Sequence, residues 1–152
     1  MNRLRSNGVE SLAIPHNTNI SGGASFSLND YNGGPIDEEY ANNRSLNEPL
    51  VEITQVKGTS ETHPLLSKND EWAAFETKTG VEAEKLVSNL RGGYVRDAYL
   101  RGLTLAEKGL TNPYKFGCNS VEFVASLIVL SRTIVFPKYA HNTVPVAQDL
   151  RY

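Results

Sequence analysis

Residues 47–64, NEPLVEITQVKGTSETHP, decide how the rest of the chain is read. Residues 50–55 (LVEITQ) have the composition of a short strand, with Val51 and Ile53 on one face and Glu52 and Thr54 on the other. A polar loop, 57–69, follows at once. On this pattern Glu52 is expected on a solvated strand face. The same order occurs earlier: residues 11–14 form a short apolar strand stopped by Pro15, and His16 opens a loop rich in Asn, Gly and Ser that runs to Pro35. Short strands that deliver polar loops at their carboxyl ends are the arrangement in which α/β proteins place chemistry.

Helical segments separate the strands. Residues 1–7 read as the last turns of a helix that Gly8 ends. Residues 37–47 begin with acids where the helix dipole favours them. A short helix is expected from Asp70 to Glu76, with Trp72 and Phe75 in the core, and another over 81–90. A longer one over 94–108 has Val95, Ala98, Leu103, Leu105 and Ala106 as its apolar side, interrupted by Gly102 and closed by Asn112-Pro113. The fold class that follows is α/β.

Composition narrows function by exclusion. The chain has 152 residues, 39% hydrophobic and 21% charged, with a formal net charge of -2. That suits one globular domain with a core, and it lacks the basic face that nucleic acid or an anionic membrane would select. No nucleic-acid or membrane partner is expected. Residues 1–8 carry Arg3 and Arg5 with no apolar segment behind them, so they are no signal peptide. The most apolar stretch, 123–130, falls far short of the roughly 20 residues that span a bilayer. The compartment stays open. The single cysteine, Cys118, excludes an internal disulfide framework and a cysteine-rich zinc site. No G-x-S-x-G elbow, phosphate-binding glycine loop, H-E-x-x-H or C-x-x-C is present, and no residue is marked as a catalytic nucleophile or base.

The candidate chemistry lies in the two post-strand loops. His16, Glu61 and His63 carry imidazole and carboxylate groups, the usual ligands of zinc, manganese and iron. Asn17 and Ser60 are placed to hydrogen-bond a substrate or orient a ligand. Spacing alone does not separate a ligand histidine from a solvated one, and His141 in the tail is expected to have no role.

The strings LAIPHNTNISGGASF (12–26), NEPLVEITQVKGTSETHPLLSKNDEWAAFE (47–76), GGYVRDAYLRGL (92–103) and NPYKFG (112–117) resemble the bacterial family DUF3604, whose members look like PHP-type metal-dependent hydrolases. The likeness runs over residues 1–117 in order, with 118–152 as a divergent tail. It implies a distorted (β/α) barrel with a divalent metal at the carboxyl ends of its strands, His16 in the place of a ligand histidine, and Glu52, Glu61 and His63 in a second site segment, with His16 the first choice of ligand and Glu61 and His63 next. The family's early H-x-H lies upstream of what this chain contains. Where the family continues as I-G-S-S-D-T-H after NPYKFG, this chain reads CNSVEF, an abrupt change of the kind that a frameshift produces. The resemblance therefore implies an interior fragment, a partial barrel inactive by itself as a phosphoesterase-like or amidohydrolase-like enzyme. The competing expectations are a small non-enzymatic binding module and a half-barrel completed in trans by a second chain.

Overall fold

The computed structural model describes residues 1–55, 57–77, 90–120 and 133–137, the last stretch by its backbone. The helix expected over 81–90 falls almost wholly outside these residues, as do His141 and the apolar stretch 123–130.

Helix α1 (Asn2–Ser6) is turned by Gly8, at φ 79°, into strand β1 (Val9–Ala13). A single 3-10 turn, Thr18–Ile20, is the one helical element in the long loop that follows. Helix α2 (Glu38–Asn47) starts on Asp37, whose carboxylate accepts the Tyr40 N–H at 2.8 Å. Glu38 and Glu39 fill its first turn and Arg44 its last, matching the dipole at both ends. Strand β2 (Leu50–Glu52), helix α3 (Val95–Glu107), strand β3 (Gly117–Asn119) and strand β4 (Thr133–Pro137) complete the described order.

The chain is thus α/β, as the sequence implies, and among the described residues its strands form two pairs. β1 and β4 are antiparallel, from Val9↔Pro137 to Ala13↔Thr133. β2 and β3 are parallel, with Leu50↔Gly117, Val51↔Cys118 and Glu52↔Asn119. The Glu52 N–H also donates to the Pro15 carbonyl at 2.9 Å. β2 therefore runs between β3 and the segment that leaves β1, and polar residues from all three collect at one end. Cys118–Asn119 in β3, and β4, lie in the stretch read from sequence as a divergent tail and take part in these pairings.

The core packs Val51 of β2 and Ala41 of α2 against Val95, Ala98 and Leu105 of α3, with Phe26, Tyr114 and Phe116 as its aromatic centre. The Phe26 ring meets Tyr114 edge-on, 5.5 Å between centroids and 76° between planes, a favoured quadrupole geometry. The buried face of α3 is Val95, Ala98, Gly102 and Leu105, whereas Leu103 and Ala106 are exposed. Gly102 is part of the contact rather than an interruption of it: a Cβ there would overlap the Asn112 carboxamide, which accepts the Tyr114 N–H at 2.9 Å. At Gly92, φ is 83° and a side chain would run into the Gly23 carbonyl, so glycine is required on both counts.

Residues 70–76 are a chain of turns, not the expected helix. The Asp70 carboxylate accepts the Trp72 N–H at 2.9 Å, and the Ala73 and Phe75 N–H groups reach back only three residues. An aspartate that caps its own turn competes with helix propagation, and Glu76 at φ 52° ends the segment. Trp72 and Phe75, expected in the core, are 70% and 64% exposed, while Ala73 between them is buried. No helix among the described residues is long and apolar enough to cross a membrane.

Candidate functional site

Where β2 ends, the chain buries a group of polar side chains: His16, Thr18, Asn19, Glu52, Lys57 and Ser60. Glu52, expected to face solvent, is 4% exposed, on a strand whose backbone meets the Pro15 segment on one edge and β3 on the other. Val51 and Glu52, adjacent in β2 and so on opposite faces, are both buried, which breaks the alternation by which half-exposed strands are read. The Glu52 Oε1 atom and the Oδ1 atom of Asn119, its register partner on β3, are both buried without a hydrogen-bond partner among the described residues. His16, from the third segment, is also buried, and its carbonyl accepts the Gln55 side chain at 3.4 Å.

Lys57 lies on the far side of the same loop. Its ammonium donates to the Ser60 hydroxyl, and its carbonyl accepts the Asn19 side chain at 3.0 Å. Burial pushes the Lys57 amine down to about 8, with the Glu52 carboxylate acting against that shift. Burial raises Glu52 in turn, and Lys57 opposes it. Ser60 is completely enclosed, its hydroxyl also accepting the Asn19 N–H at 3.3 Å. Its backbone bonds Ile53 and Val95. Ser60 therefore ties the loop after β1 to the loop after β2 from within, with no surface to offer a substrate.

The remaining sequence candidates fall in two separate places. His16 and Asn17 line a hollow of about 460 Å³ together with Ser21, Ser25, Arg44 and Glu48. Asn17 is exposed there, within reach of anything the hollow holds. Glu61 lines a second hollow of about 380 Å³ with Thr62, Trp72 and Phe75. Its carboxylate pairs with Arg96 at 2.5 Å, and Arg96 also holds Asp70 at 2.6 Å. His63 is half-buried, with Nδ1 accepting the Leu65 N–H at 3.2 Å and the ring 5.7 Å from Tyr94. Burial lowers its pKa and favours the neutral imidazole. Among the described residues, no group of three or more His, Cys, Asp or Glu side chains is placed to hold a metal ion.

Lys57 and Asn119, beside Glu52 in this cluster, were not picked out by sequence reasoning, whereas the family resemblance had pointed to Glu52. A usable signal existed for Lys57: a lysine in the loop fed by a short strand that carries a carboxylate. Asn119 gave none, since its place beside Glu52 depends on strand pairing across the chain.

Fold and site together define an α/β protein with a buried, charge-bearing polar cluster at the carboxyl end of a parallel strand pair. The family model described as a protein of unknown function, DUF3604, matches residues 1–122, and the chain belongs to that family. No curated protein and no solved structure matches it.

Proposed function

We propose that this polypeptide carries one side of the metal centre of a PHP-like, metal-dependent hydrolase acting on a phosphoester, ester or amide. The observation that carries the reading is the pair of buried oxygens, Glu52 Oε1 and Asn119 Oδ1, on adjacent strands, neither with a hydrogen-bond partner among the described residues. Buried polar atoms are as a rule hydrogen-bonded, and those that are not call for an explanation such as a bound ion. Carboxylate and amide oxygens beside a segment that carries an imidazole suit zinc, manganese or iron in kind. The likeness of 1–117 to PHP-type enzymes points the same way.

In this reading His16 supplies nitrogen, and Glu52 and Asn119 supply oxygen. When bound, the metal would lower the pKa of a water and polarise the scissile group. Asn17, exposed in the hollow that His16 lines, is the substrate-facing residue. Ser60 acts as a positioning residue through Lys57 and Asn19. Glu61 and His63 form a second donor group only if Arg96 gives up Glu61. Three donors held on two strands and a loop bind metal weakly compared with a full set, so turnover by this chain alone is not expected.

Titration of zinc or manganese into the chain tests the proposal. His16→Ala is expected to weaken binding at least tenfold, and unchanged affinity in that variant overturns the assignment. A second reading, completion in trans by another polypeptide, is favoured by the exposure of Trp72 and Phe75 around the second hollow. Copurification of a complementing chain, with metal content rising on its addition, tests it.

A further inference from the structure

We propose that the hollow lined by Glu61, Trp72, Phe75 and Glu76 docks a polypeptide that inserts a lysine or arginine side chain into it. The proposal deepens the reading of completion in trans, on which it rests for a polypeptide as occupant, and says what that chain must present.

The chemistry of the lining carries it. Of the described side chains around this hollow of about 380 Å³, two are large aromatics, two are carboxylates and none is basic. Trp72 and Phe75 are 70% and 64% exposed, so their rings are open to an incoming group. An aromatic face attracts a cation through its quadrupole, and a carboxylate beside it adds a charge pair. Arg96 does not fill that role, because it is already committed to Glu61 at 2.5 Å and Asp70 at 2.6 Å. With Arg96 counted, Glu61, Asp70 and Glu76 still set three negative charges against one positive. The balance invites a further cation.

The second carboxylate of the lining is fixed in place. Glu76 has a left-handed backbone, φ 52°, which no other non-glycine residue among those described adopts. Its carbonyl accepts the Thr59 N–H at 2.8 Å, and its carboxylate accepts the Thr54 hydroxyl at 3.0 Å. Thr54 and Thr59 line the same hollow, so both bonds hold Glu76 against its wall. Residues kept in a sparsely populated backbone region persist only where their surroundings enforce it, and they collect at ligand clamps. A free amine would occupy the hollow but leave the neighbouring apolar surface wet. That surface includes Leu65, 55% exposed in the loop whose ends, Glu61 and Asp70, meet on Arg96. A polypeptide brings the cation and an apolar cover together.

Trp72 is the only tryptophan of the chain, so its emission reports on this hollow. The full chain is titrated with acetyl-Leu-Arg-Leu-amide and with the same peptide carrying citrulline, which keeps the shape and removes the charge. The arginine peptide is expected to shift Trp72 emission to shorter wavelength and to bind about fivefold more tightly than the citrulline peptide. Glu76→Gln is expected to abolish most of that preference. Added sodium chloride should narrow it in the unaltered chain, which decides the matter if the variant does not fold. Equal binding of the two peptides, no change in emission with either, or a preference untouched by salt overturns the proposal. The two claims fail separately. A clear preference for arginine, with no complementing chain found by copurification, keeps the docking site and removes completion in trans. Equal binding removes the basic group and leaves an apolar surface that another polypeptide can still cover.

Discussion

Lys57 sits where keeping a positive charge is costly, and that cost has a pH signature. The amine titrates near 8 in the folded chain, against an ordinary value of 10.5. Between these two values the unfolded chain binds the extra proton, so stability rises with pH through this window and the gain is lost as pH falls toward 8. Tyr99 and Tyr114, both held up to about 12, act with the opposite sign, but only above their ordinary value of 10. Urea unfolding in chelator at pH 8, 9 and 10 is therefore expected to show a gain on the order of 2 kcal/mol for the native chain. Lys57→Met should give a flat profile. A native chain equally stable at all three pH values would mean that this amine is solvated. Ser60→Ala removes the hydroxyl that receives the ammonium, and is expected to cost about 1–3 kcal/mol in the same assay at pH 7. Much of this was hidden at the level of the residue. His16 could be picked out because its position after a strand is a local property. The strand pattern put Glu52 on a solvated face and only the family resemblance pointed to it, because what buries that face is set by the fold and not by its neighbours in sequence.

The helices show which elements local chemistry specifies. α2 was legible to within a residue because its determinants are adjacent in sequence: the Asp37 cap, the acids of the first turn and Arg44 near the end. Asp37→Ala is expected to cost about 1 kcal/mol in thermal or chemical unfolding. α3 was equally legible in extent but not in orientation. Its apolar side was drawn through Leu103 and Ala106, whereas packing runs through Gly102. The reason lies ten residues on, where Asn112 occupies the space that a side chain at Gly102 would need. Propensity alone gives Gly→Ala in a helix interior a gain of about 1 kcal/mol. Here Gly102→Ala is expected to lose about 1–3 kcal/mol through overpacking. Combined with Asn112→Ala, it should cost less than the sum of the single variants, since both act on one contact. Strict additivity would place the clash elsewhere. The stretch 70–76 misled for the opposite reason: its apolar residues imitate a helix face, but Asp70 spends its carboxylate on the Trp72 N–H and on Arg96.

At the scale of the molecule, the same stretch leaves an apolar surface with nothing described against it. Leu65, Trp72 and Phe75 are 55%, 70% and 64% exposed, within eleven residues of one another along the chain. Trp72 and Phe75 both border the hollow that Glu61 lines. Large side chains grouped in this way mark surfaces that associate, whereas scattered ones do not. Sedimentation velocity over a hundredfold range of concentration is expected to show a rising average sedimentation coefficient for the native chain. Trp72→Ser with Phe75→Ser should flatten that rise. The melting temperature should move little, because neither side chain belongs to the core around Phe26 and Tyr114, and exposed positions of this kind usually change stability by no more than about 0.5 kcal/mol. The two readouts separate association from folding. If the double variant melted much lower, Trp72 and Phe75 would be packing groups, and the turns that present them would need another explanation. A native chain that stayed monomeric throughout would remove the surface argument for a complementing polypeptide. It would leave the buried cluster at the end of β2 untouched, since Glu52, Lys57 and Ser60 are enclosed by this chain's own strands and loops.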